Sequence, residues 1–342
     1  MRFIARILPA LLVAPLLSFC SSIEIKNRYD RCEKIVIGPG VEDFALLEKG
    51  NETTILVSSH DRRAWKQPGG IFAFNLKTRK ATKLDRKNEP NGVFFAPHGI
   101  DIFRSGQDTF LYVVNHGVEM DDNDQSILIY ALRDGALEFV VQIRDDLINS
   151  PNDLSVTDTG SFYVTNDHGS RGSMWELFWG LKRSKVVYCT LTSFTANAGA
   201  TCRTAAKDIA MANGVLAIGG KVFVSATREG RVYEFPRNAD GSLGEKALVA
   251  DVSGPDNLFP LDKQLITASH TSNWKFFRHV SSAENKSPSY IVSIDPAQKT
   301  VAGLYFDAGK EISAASGAFV YKRKLYISQV FEDFLLECKP VP

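Results

Sequence analysis

Five polar clusters recur along this chain about every fifty residues, each just before a short apolar run: Glu42-Asp43, His98 within Pro97-His98-Gly99, Asn152-Asp153, Asn213 and Asp256-Asn257. A period of this size restricts the fold to a repeat architecture whose equivalent corners converge. The 342 residues are 44% hydrophobic and 23% charged, enough for one large core. A net charge of only +1 offers nothing to a polyanion, so nucleic-acid binding is not expected.

Short runs rich in Val, Ile, Phe and Tyr, at residues 54–57, 70–75, 110–114, 126–130, 185–190, 221–226 and 324–328, alternate with Gly, Asn and Asp turns. No long segment of helical period competes with them, and residues 171–181, with Trp175, Phe178 and Trp179, read as a short helix or, the preferred alternative, an aromatic loop. Pairing residues 98–103 with 109–116 about residues 104–108 sets His98 opposite His116. The same construction sets Asn152-Asp153 against Asn166-Asp167 across residues 158–160, and Glu42 against His60 across Gly50-Asn51. It sets Asp256 against His270 about Lys263, and Asn213 against Ala226 or Thr227 across Gly219-Gly220. A sixth hairpin, from Ser316 through Lys322-Arg323 to Val330, lacks a polar head. Six such units imply an all-β fold over residues 21–342: a six-bladed β-propeller with a central channel, closed by its terminal segments, whose polar ends collect at one mouth.

Residues 1–20 read as an export signal, with Arg2 and Arg6 ahead of a short apolar stretch. Three fates follow for it: cleavage and secretion, acylation at Cys20 within Leu17-Ser18-Phe19-Cys20, or retention as a membrane-attached signal anchor. Export permits disulfides. A Cys32–Cys338 bond would tie the two ends of the ring, while Cys189 and Cys202 form either a second bridge or two free thiols. Asn51-Glu52-Thr53 is a glycosylation sequon if the source is eukaryotic.

Converging carboxylates repel unless a cation joins them, and an all-oxygen shell of Glu, Asp and Asn favours calcium, with magnesium second. Zinc is disfavoured because the cysteines lie elsewhere.

Val41-Glu42-Asp43, Pro97-His98-Gly99-Ile100, Val113-Val114-Asn115-His116, Pro151-Asn152-Asp153-Leu154, Thr165-Asn166-Asp167-His168, Ala212-Asn213-Gly214, Asp256-Asn257 and Ser269-His270 stand in the order and spacing of the paraoxonases. From Cys32 to Cys338 the chain resembles that family of calcium-dependent lactonases and arylesterases on a six-bladed propeller. The resemblance implies two calcium ions. Glu42, Asn152, Asn213, Asp256 and Asn257 would hold a catalytic ion near the mouth. Asp43, Asp153 and the backbone carbonyl of Ile100 would hold a structural ion deeper in.

The implied chemistry is hydrolysis of lactones and aryl esters, with weak phosphotriesterase activity, on small-molecule substrates. The calcium would polarise the substrate oxygen, and His98 paired with His116 would take a proton from the attacking water. Which imidazole is the base stays open. His168 and His270 are expected at the rim of the site and His60 and His279 at the surface or in turns, while Arg62, Arg63 and Trp65 either bound a pocket for a polar or acyl-bearing ester or, as the preferred reading, lie in a solvated loop. Ser269 stands where the family often has cysteine, and Met211 where an aromatic is familiar, which puts the substrate in doubt. Two alternatives remain: a lactonase of the gluconolactonase and regucalcin group, and a non-enzymatic, calcium-stabilised chaperone-like propeller.

Overall fold

The computed structural model describes residues 26–342 except Asn51, 119–123, Arg171 and 196–197. The export segment with Cys20 and the sequon asparagine therefore lie outside the described residues.

Six sheets form the blades of a ring, antiparallel except that the short edge strand Arg86–Lys87 joins blade 2 in parallel. Their inner strands are Val41–Lys49, Ala96–Ser105, Pro151–Val156, Ala212–Ile218, Pro255–Leu261 and Ala315–Tyr321, each packed against the next and the last against the first. Their partners, the second strands, are Glu52–Ser59, Asp108–His116, Phe162–Asn166, Lys221–Ala226, Gln264–Ser269 and Lys324–Gln329. Both faces of such strands are covered by neighbouring blades, which is why Phe162–Asn166 is a continuous buried run rather than an alternating one. Six apolar clusters fill the six gaps between blades, for example Tyr112, Ile129, Phe162 and Val187 between blades 2 and 3.

The sixth blade takes its outer strand from the other end of the chain. Tyr29–Val36 pairs antiparallel with Phe334–Pro340, and the expected Cys32–Cys338 disulfide covers that join. Cys189 and Cys202 face each other on adjacent strands of blade 3 and are bonded, which decides between the two alternatives for them.

Every inner strand is bulged at its polar cluster, and this corrects the pairing expected from the sequence. Pro97 pairs with Asn115 and Ile100 with Val113, so His98 and Gly99 together face Val114. Residues 152–153, 213–214, 256–257 and 316–317 bulge in the same way, and Glu42 is the extra residue in blade 1. Ala96, not His98, therefore lies opposite His116, and with Val41 opposite Ser59 and Asp43 opposite Ser58, Glu42 is not paired with His60. A bulge turns consecutive side chains out of the alternating register and aims them at the ring axis.

The bulges alternate in kind around the ring. In blades 1, 3 and 5 the residue completing the cluster is polar, Asp43, Asp153 or Asn257; in blades 2, 4 and 6 it is Gly99, Gly214 or Gly317. A Cβ on Gly99 would stand 2.6 Å from Asp153 Cα, and one on Gly214 2.8 Å from Asn257 Cα. Gly99 and Gly214 thus leave the space into which the next blade's backbone presses, while Gly317 instead makes room for the Phe259 ring.

Two short helices stand in the connections leaving the second strands of blades 3 and 5. Helix α1, Met174–Trp179, replaces the aromatic loop expected there, and helix α2, Asn273–Ser281, was not foreseen. Ser272 caps α2, its hydroxyl accepting from the Lys275 amide.

Candidate active site

The bulges bring Glu42, Asn152, Asn213, Asp256 and Asn257 together from four blades, each at most 6% exposed. Glu42 Oε1 accepts from Asn257 Nδ2 at 3.1 Å, and Asp256 Oδ2 lies 2.8 Å from His270 Nε2. Glu42 Oε2 and the side-chain oxygens of Asn152, Asn213 and Asn257 are buried and accept no hydrogen bond. Orphaned buried acceptors are costly, and these four are without a partner in the protein. Among the described residues no three His, Cys, Asp or Glu side chains form a metal cluster by themselves. A cation held here would draw on the amide oxygens as well, and neutral and anionic oxygens together suit a hard cation such as calcium.

The two members of the Glu42-Asp43 and Asn152-Asp153 pairs part company. Asp43 and Asp153 border an axial cavity of about 240 Å³ beneath the mouth, and Glu42 and Asn152 do not. Asp43 Oδ2 accepts the Ile100 amide at 2.6 Å, and Asp153 accepts the Leu154 and Val215 amides at 2.7 and 2.8 Å. Each carboxylate thus ties its own blade to the next. Asp101, which sequence reasoning missed, repeats the device from blade 2 to the Val156 amide at 2.7 Å.

Burial dominates the electrostatics. It pushes Glu42 up to about 7, opposed by the Arg62 guanidinium and reinforced by Asp256. It raises Asp43 and Asp153 well above the carboxylate range, with further repulsion from Asp153 and Glu42 at Asp43, and from Glu42 and Asp101 at Asp153. Burial also takes Asp101 to about 6. Carboxylates so crowded and dehydrated are what a divalent cation would relieve.

His98 and His116 meet despite the shifted register, with His98 Nδ1 and His116 Nε2 2.9 Å apart. Gln125 is the residue that orders them: its Oε1 lies 2.6 Å from His116 Nδ1. With Oε1 as acceptor, His116 carries its proton on Nδ1 and its Nε2 accepts from His98 Nδ1–H. His98 Nε2 then presents its lone pair on the side of Glu42, 3.6 Å from Oε1. Gln125 stands just ahead of the strand Ser126–Arg133, and nothing in the sequence marks it.

The other histidines divide differently from expectation. His270 holds Asp256 and so adjoins the proposed oxygen set, whereas His168 Nδ1 lies 2.8 Å from its neighbour Asp167 Oδ1. His60 and His279 are fully buried, not surface or turn residues. Burial, aided by Arg62, lowers His60 to about 4, and its ring packs edge-on against Trp65 with centroids 4.6 Å apart. His279 sits between Arg63 Nη2 at 3.1 Å and Glu332 Oε1 at 3.3 Å. The segment carrying Arg62, Arg63 and Trp65 is correspondingly a wall of the mouth rather than a solvated loop. Trp65 donates to the Gly117 carbonyl at 3.2 Å, with its ring centroid 6.1 Å from that of His116.

A propeller with these features has relatives. The arylesterase family profile matches residues 61–339, beginning after the strand Tyr29–Val36 and the first blade's opening hairpin. The chain belongs to the arylesterase family. Among curated members, chicken (Gallus gallus) serum paraoxonase/arylesterase 2 is 29% identical over 283 residues, covering 79% of this chain and 76% of that protein. Mouse (Mus musculus) serum paraoxonase/arylesterase 1 is 26% identical over 321 residues, covering 87% and 86%. Among solved structures, a gluconolactonase from Xanthomonas campestris superposes with a TM-score of 0.56 at 16% identity, covering 91% of this chain and 89% of that one. The calcium-binding regucalcin from Agrobacterium tumefaciens does so at 0.53 and 10%, covering 90% and 91%. These structures share the fold; the relatives in sequence supply the family.

Proposed function

We propose that this protein is a secreted, calcium-dependent hydrolase of lactones and aryl esters. The observation that carries the reading is the set of four orphaned buried oxygens on Glu42, Asn152, Asn213 and Asn257 beside an ordered imidazole pair. Glu42, Asn152, Asn213, Asp256 and Asn257 would hold the outer calcium, and Asp43, Asp153 and the Ile100 carbonyl an inner one. Bound calcium supplies charge neutralisation and Lewis-acid polarisation of the ester carbonyl.

The protein's own residues do the rest. His98 Nε2 accepts a proton from water as the water oxygen bonds to the ester carbon. His116 Nε2 holds the resulting imidazolium through His98 Nδ1–H, and Gln125 fixes the tautomer that allows it. When the acyl C–O bond breaks, His98 returns its proton to the departing oxygen. Glu42 and His270, which holds Asp256, keep the oxygen cluster in place. The two disulfides fit an oxidising compartment.

The imidazole pair and the Cys32–Cys338 bond favour the arylesterase reading over a gluconolactonase-like one, for which the structural likeness supports the fold alone. A panel of γ- and δ-lactones, phenyl acetate and a phosphotriester, run with and without chelator, tests the proposal. Turnover is expected only with calcium, and Asn213→Ala and Asp256→Ala should abolish it. Metal-independent hydrolysis would refute the mechanism. A folded, calcium-loaded protein inert to the whole panel would favour a binding or chaperone-like role.

A further inference from the structure

The wall segment after the second strand of blade 1 buries a cation that the proposed mechanism does not use. The Arg62 side chain is only 5% exposed. Its Nη1 donates to the Gly40 carbonyl at 3.0 Å and the His60 carbonyl at 3.3 Å, and its Nη2 to the Pro97 carbonyl at 3.1 Å. Gly40, at φ 61°, makes room for this cradle, since a Cβ there would stand 1.9 Å from the His60 oxygen and 3.1 Å from Arg62 Nη1. Three carbonyls occupy both terminal nitrogens while Nε is buried without a partner, and burial keeps the group away from substrate. What it faces is Glu42, whose Oε2 lies 3.8 Å from Nη2 and is one of the orphaned oxygens.

We propose that Arg62 is a built-in counter-ion of the mouth: it holds the carboxylates together before calcium binds and opposes the outer ion afterwards, keeping that ion exchangeable. The inference rests on the calcium reading above. In the absence of the ion, the mouth gathers Glu42 and Asp256 with Asp43 and Asp153 below, all buried, and a guanidinium among them offsets repulsion that water cannot screen. Once a divalent cation takes the same oxygens, the guanidinium becomes a like charge held close by carbonyls it cannot leave. The one side chain thus raises the stability of the ion-free protein and lowers its calcium affinity. A second consequence is positional: through the Pro97 carbonyl, Arg62 also pins the residue preceding His98.

Calcium affinity measured by competition with a chromophoric chelator, alongside thermal unfolding in chelator and in excess calcium, tests this. Arg62→Gln keeps N–H donors without charge, Arg62→Met removes both, and Arg62→Lys keeps the charge. Both neutral variants should bind the weaker calcium about tenfold more tightly, equivalent to about 1.4 kcal/mol. They should also melt lower than wild type in chelator and close to it in excess calcium. Arg62→Lys should stay within about threefold of wild type. Unchanged or weaker affinity in the neutral variants overturns the proposal, as does equal tightening in Arg62→Lys, which would exclude charge as the cause. Failure of the wild-type protein to bind calcium at all would instead refute the calcium reading itself.

Discussion

Replacing Gly99 by alanine probes the alternation of bulges with a single methyl group. A Cβ at this position would lie 2.6 Å from Asp153 Cα, 2.7 Å from the Asn152 oxygen and 2.8 Å from Asp153 Oδ1. Carbon contacts relax at roughly 3.5–4.0 Å, so the inner strands of blades 2 and 3 must separate by the better part of an ångström. Two of the three obstructing atoms are backbone, which cannot rotate away. Overpacking of this kind costs about 1–3 kcal/mol, and in a domain of this size each kcal/mol lowers the melting temperature by about 2–4 °C. The strain falls on Asn152 and Asp153, one proposed for each calcium, so affinity for both ions should drop by about tenfold, by analogy with the effect of disturbing residues that orient metal ligands. Gly199→Ala is the control, because no heavy atom lies within 4 Å of its added Cβ. Thermal unfolding and calcium titration of the two variants provide the comparison. Gly99→Ala matching the control within about 0.5 kcal/mol would refute the claim that Gly99 makes room for the next blade's backbone.

Two further outcomes follow from the electrostatics and the proton relay. Glu42 has a folded-state value raised to about 7, so its contribution to stability is full below the ordinary carboxylate range and lost as the pH rises through about 7. The chelated protein should therefore melt progressively lower between about pH 5 and pH 8, a trend that calcium should flatten; equal slopes with and without calcium would count against a cation site at Glu42. Gln125→Leu strands the His116 Nδ1–H; at about 1–3 kcal/mol for a buried unsatisfied donor, kcat should fall roughly tenfold to a hundredfold with KM little changed. Gln125→Glu should restore the rate and move the acidic limb of the pH–rate profile upward, and an unaltered Gln125→Leu would remove the relay from the mechanism.

Much of the site was legible because its residues sit at a repeating place in a repeating unit. The clusters at 42–43, 98, 152–153, 213 and 256–257 each precede an apolar run, and the turns at Gly219-Gly220 and Lys322-Arg323 fall where hairpin pairing requires them. The bulges were not legible, since an extra residue in one strand leaves no mark on the apolar pattern and only the partner strand reveals it. Gln125 and the role of Arg62 were missed for a related reason. Gln125 reaches His116 across a connection between strands and Arg62 reaches Glu42 and the next blade's Pro97, and no local spacing encodes such contacts. His60 and His279 looked like surface or turn residues because their burial, in a connection and in helix α2, depends on what the rest of the fold packs against them.

By itself the sequence determined the six-unit β architecture and the terminal staple and supplied the candidate oxygen donors, because periodicity and residue chemistry are properties of the chain. Only the tertiary structure decided which of those oxygens are buried without a partner, which carboxylates border the channel, which blades yield space, and which buried cation stands beside Glu42. Those outcomes arise where six inner strands meet at one axis, and there the close packing of one blade against the next, rather than any local preference, sets the direction of every side chain.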